Sequence, residues 1–82
     1  SKADSAADQE EASMTGTISD IKDFMFTITF EGQDYGFSFD QNEKPQGLDS
    51  VKDGDTVMVT YTGTVNTVDA FTGKILSVEK VD

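Results

Sequence analysis

Carboxylates are the only side chains in this chain that are plentiful enough to act as acids, bases or metal ligands. Sixteen Asp and Glu stand against six basic residues, every one a Lys, and there is no His and no Cys. Without His and Cys, the usual nucleophile–base pairs, the commonest metal ligand and any thiolate centre are missing. The carboxylates that could work in pairs are Asp20 with Asp23 and Asp53 with Asp55. All four fall in turn-like sequence, where they are expected to be hydrated. Asp49 to Asp55 (DSVKDGD) has the acidic start and the Gly of a calcium loop. Val51 replaces its third ligand and Thr60 its closing bidentate Glu, so the segment reads as a polar turn. A domain this small also has little room for a ligand pocket of about 300 Å³ or more. The expectation is therefore a protein that is not an enzyme, with no metal and no cofactor.

Charge narrows the partners. The net charge of −10 disfavours nucleic acid and anionic membrane surfaces, which are bound by clustered Lys and Arg. No run of 18 apolar residues is present, so this segment does not insert directly into a membrane. A protein or a carbohydrate remains as the partner class, and the chain is expected to be a monomer.

The elements that must position any site lie in one part of the chain. Residues 1–12 (SKADSAADQEEA) hold no large apolar side chain, and they carry one basic residue, Lys2, and four acidic ones, Asp4, Asp8, Glu10 and Glu11. They read as a disordered acidic tail or linker. Residues 13–82 hold all six Phe and both Tyr and read as a single β-barrel domain. The chain starts at Ser1 without a Met, and an Ala/Ser/Asp/Glu-rich head often follows a processing site. That composition suggests an extracellular or cell-envelope location, with a lipid anchor upstream of Ser1.

Strand patterning dominates the body. Phe24, Phe26, Ile28 and Phe30 alternate with Met25, Thr27 and Thr29. After Glu31–Asp34, Tyr35, Phe37 and Phe39 alternate with Gly36 and Ser38, which predicts a β-hairpin. Met14 and Ile18 share a face of an earlier strand, with a bulge expected near Ser19–Asp20. Residues 40–55 form the long connection, with at most one helical turn near residues 48–52, where Leu48 and Val51 turn inward. Val57, Val59 and Tyr61 line one face of a fourth strand. Thr64–Val68 reads as a weak fifth strand or an extension of the fourth. The last strand is expected to place Leu76 and Val78 together.

Five or six short strands in a chain this size call for a curled or closed sheet. The opening strand with Gly16, the Phe24–Phe39 hairpin and the Val51–Val57 segment (VKDGDTV) resemble an OB-fold, the small Greek-key barrel of many binding proteins. More narrowly, the chain resembles small exported bacterial OB-fold-like domains of unknown function. An OB-fold usually places a helix between its third and fourth strands, whereas this connection has room for one helical turn at most, which leaves an SH3-like barrel as the alternative. The resemblance implies ligand docking on the outer face of the second and third strands, with Met25, Thr27, Thr29, Gly36 and Ser38 outward. Lys22, Asp23, Asp69, Phe71 and Thr72 would flank that face. The candidate ligand-binding residues are Met25, Thr27, Thr29, Ser38 and Phe71. Phe71 is either the cap of the barrel's open end or an exposed anchor for a partner. An outer Thr-rich face is also what an ordinary solvated sheet face looks like.

Overall fold

The computed structural model describes residues 11–68 and 70–81. The described chain is all-β: β1 (Glu11–Ser19), β2 (Met25–Phe30), β3 (Gln33–Ser38), β4 (Thr56–Thr64) and β5 (Thr72–Lys80). They form one antiparallel sheet in the order β3-β2-β1-β4-β5. Three hairpin-linked strands followed by a fourth that returns beside the first is the Greek-key arrangement. β1 is the hinge of this order. Its N-terminal part, from Glu11 to Thr17, pairs with β4, and Thr17 to Ser19 pair with β2.

The strand β1 can serve two neighbours because of Gly16. A Cβ there would run into the Thr29 carbonyl oxygen and lie 2.8 Å from Cγ2 of Ile28. Two backbones meet at this point, and only a residue without a side chain lets them do so. Gly16→Ala should therefore cost about 1–3 kcal/mol, the usual range for overpacking. An unchanged urea midpoint for this variant would contradict the close approach.

The core lies on one face of the sheet. Ile18, Phe26, Ile28, Phe37, Val57 and Val59 are fully buried, and Leu48, Tyr61, Phe71, Ile75 and Val78 nearly so. This is the alternation read from Phe26–Ile28 and Val57–Tyr61. The β2–β3 hairpin turns on only Glu31 and Gly32, both at positive φ (53° and 79°), as the twist-matched two-residue turn requires.

The sheet is not closed. No ladder joins β3 to β5 among the described residues. Aromatic rings bridge part of that seam instead. Phe37 on β3 lies 5.1 Å from Tyr61 on β4 and 5.2 Å from Phe71 ahead of β5 (ring centroids). Elsewhere the long connection clasps β5. Gln46 forms an isolated parallel bridge with Ser77, and its carbonyl accepts the Val78 N–H at 2.8 Å.

Several expectations need correction. Residues 65–68 form no strand; Asn66 turns the chain there by accepting the Val68 N–H on its side chain at 3.0 Å. Leu76 and Val78 do not share a buried face: Ile75 and Val78 are the buried pair. Thr60 pairs with Ser77 and Tyr61 with Ile75, so Leu76 is the extra residue of a β-bulge that shifts the phase. The bulge is thus in β5 and not near Ser19–Asp20, where β1 ends and Asp20 takes a positive φ of 53°. Phe24 is half exposed, because β2 begins at Met25. The connection holds two short 3-10 turns, Gln41–Glu43 and Leu48–Ser50, one more than expected. Glu11 and Ala12, read as tail, pair with Thr62 and Tyr61.

Candidate functional site

Four of the five candidate residues lie together. Cross-strand partners project to the same side of a sheet, about 5 Å apart. Met25 pairs with Ser38, Thr27 with Gly36, and Thr29 with Asp34. These six positions alternate with the buried Phe26, Ile28 and Phe37, so they form the outer face of β2 and β3. Thr29 and Ser38 are exposed, while Met25 and Thr27 are half-buried. Cε of Met25 lies 3.7 Å from where a Cβ of Gly36 would stand, so the thioether covers the gap left by that glycine. The Thr29 hydroxyl donates to Oδ1 of Asp34 at 2.8 Å.

Sequence periodicity missed how far this face extends. Thr17 lies opposite Thr29, and Ser19 opposite Thr27, on β1; Thr56 of β4 lies opposite Thr17. A row of Thr56, Thr17, Thr29 and Asp34 thus crosses four strands. A second row holds Ser19, Thr27 and Gly36. No single strand contains this pattern, because the pairing of β1 with both neighbours creates it. The only signal available beforehand was the recurrence of Thr on the outward phase of several strands.

Phe71 is elsewhere. It is buried in the core against Phe37 and Tyr61, the latter at 6.0 Å between ring centroids. It is a core ring and not an exposed anchor. Phe24 is the ring that does face solvent, in the β1–β2 turn next to Met25, where its carbonyl accepts the Phe39 N–H at 2.9 Å. Of the flanking loop residues, Lys22, Asp23 and Thr72 are exposed, and Asp69 lies outside the described residues.

An open groove of about 310 Å³ runs over β1 and β4, lined by Glu11, Ala12, Ser13, Met58 and Thr60. It reaches the lower size range of small-molecule sites, which the chain's length did not suggest. Its one ionisable side chain is Glu11, so it offers no acid–base pair.

The other carboxylates singled out above serve local turns or face water. Oδ1 of Asp49 accepts from Lys44 Nζ at 3.0 Å, and Oδ2 of Asp55 accepts the Lys52 N–H at 3.0 Å. Asp20, Asp23 and Asp53 are exposed. Among the described residues no three His, Cys, Asp or Glu side chains are grouped to hold a metal ion. No helix among them is long and apolar enough to cross a membrane. Comparisons with models of protein families, with curated proteins and with solved structures found no match to this chain.

Proposed function

We propose that this chain is a non-enzymatic binding or interaction module that works through the outer face of β2 and β3. The observation that carries the reading is the pair of cross-strand rows, Thr56–Thr17–Thr29–Asp34 and Ser19–Thr27–Gly36. They put evenly spaced hydroxyls and a carboxylate on a surface without a positive charge. Such a surface recognises by hydrogen bonding and shape, and its two rows hold one carboxylate with no second acid or base to pair with it. The acidic, apolar-poor head of the chain supports placing the module in an exported, cell-envelope-anchored bacterial protein.

A carbohydrate is the second reading, favoured by the hydroxyl spacing of the same face. Titrating a glycan panel against the isotope-labelled chain should first move the amides of Thr27, Thr29 and Ser38. The Thr27→Lys, Thr29→Lys double variant should weaken that binding about tenfold or more. Its folding stability should change by no more than about 1 kcal/mol, since neither position is fully buried. A panel that moves none of these amides removes the carbohydrate reading and leaves a protein partner.

A further inference from the structure

We infer that the outer edge of β3 takes up an extended, lysine- or arginine-bearing segment of a partner protein as an added strand. The inference rests on β2 and β3 being the binding region, but it does not depend on the hydroxyls of their outer face.

The hairpin geometry fixes which backbone groups are free. Across a two-residue turn the pairs that exchange N–H···O bonds alternate with pairs that do not. Phe30 with Gln33 closes the turn, and six pairs further along Phe39 donates its N–H to Phe24. The odd-numbered residues Gln33, Tyr35, Phe37 and Phe39 therefore direct their amides and carbonyls at β2. Asp34, Gly36 and Ser38 direct theirs away from it. No strand pairs with that side among the described residues, and no backbone bond reaches it. Asp34 and Ser38 are exposed and Gly36 is half-buried. The opposite end of the sheet is different, since Gln46 occupies the outer side of β5 at Val78. β3 is thus an open edge of the kind that accepts a further strand.

Charge selects the occupant. Glu31 and Asp34 stand at one end of this edge, and Asp40 and Glu43 follow at the other, all exposed. The Lys that follows them, Lys44, is tied to Asp49. A second copy of this chain would bring the same acidic residues and a net charge of −10 to the contact, so self-pairing is opposed. A segment alternating basic and apolar residues fits on both sides. Its basic residues would lie beside Asp34 on the outer face, and its apolar ones beside half-buried Tyr35 and Phe39.

The test uses the whole chain, isotope-labelled, and a capped peptide of alternating Lys and Val about eight residues long. The expected result is shifts at Asp34, Gly36 and Ser38, with hydrogen exchange of these three amides slowed about tenfold or more. Added salt should weaken the effect, and a Glu/Val peptide should not produce it. N-methylating every peptide bond of the probe should abolish it without touching the protein. Shifts on Thr27 and Thr29 with no slowing at Asp34, Gly36 and Ser38 would overturn strand addition while leaving the outer-face reading intact. Equal binding of the Glu/Val or N-methylated peptide would overturn it as well. No response anywhere in β2 or β3 would overturn strand addition by such a segment.

Discussion

Replacing Phe37 by Ala is expected to remove a quarter or more of the chain's folding stability. Phe37 is fully buried on β3, and its ring meets Phe26 at 5.5 Å, Tyr61 at 5.1 Å and Phe71 at 5.2 Å. These contacts join β2 and β3 to β4 and to the chain entering β5, where no hydrogen-bond ladder does so. Truncating a buried Phe costs about 3–5 kcal/mol. A domain of this length has roughly 4–12 kcal/mol in total at the usual stability per residue. The loss therefore takes a quarter of the stability at the least and can take all of it. Phe24→Ala is the matched control, since Phe24 is half exposed and should cost less than about 1 kcal/mol. Urea midpoints read by circular dichroism separate the two. Equal midpoints would mean that the ring cluster does not hold the seam.

The second large effect is expected at Gly47. It sits at φ 91° just before the Leu48–Ser50 turn, and a Cβ there would run into the Val78 carbonyl oxygen. Its neighbour Gln46 accepts the Val78 N–H, so this is the point where the long connection is clasped to β5. Gly47→Ala should cost about 2–5 kcal/mol, combining left-handed backbone strain with overpacking. Gly54 makes the comparison clean. It has a similar φ of 96°, with nothing within 4 Å of where its Cβ would stand. Gly54→Ala should carry the backbone cost alone, about 1–2 kcal/mol. Hydrogen exchange at Val78 should speed up selectively in the Gly47 variant. If both variants lose the same stability and protect Val78 equally, the clasp contributes nothing.

The fold was readable wherever a strand keeps strict alternation against one face. Phe26 and Ile28 on β2, and Val57, Val59 and Tyr61 on β4, carry the period of two without interruption, and their burial follows it. β5 was misread because its bulge at Leu76 depends on how β5 registers against β4. Leu76 is as apolar as its neighbours, so nothing local marks it as the extra residue. Phe24 was misread because the turn at Lys22–Asp23 takes up one residue more than expected. There the Lys22 N–H donates to the Met25 carbonyl at 2.7 Å, leaving the Phe24 ring outside.

The candidate site divides the same way. Met25, Thr27, Thr29 and Ser38 belong to one hairpin, so alternation alone placed them side by side. Thr17, Ser19 and Thr56 join them only through long-range pairing of β1 with β2 and β4, which no local pattern encodes. The groove over Ser13 and Thr60 arises from that pairing too. Phe71 could be read as cap or anchor because an isolated ring in a loop looks the same in both roles. Its contacts with Phe37 and Tyr61 place it in the core.

The central claim is that binding is carried by β2 and β3, with no catalytic centre involved. It is read most directly from an amide-shift map of the labelled chain, titrated with the tightest ligand from a panel of glycans and basic peptides. The account predicts that the largest shifts fall between Met25 and Ser38, with Thr17 and Ser19 following. Shifts centred on Ser13, Met58 and Thr60, with β2 and β3 unmoved, would contradict it and assign binding to the groove over β1 and β4.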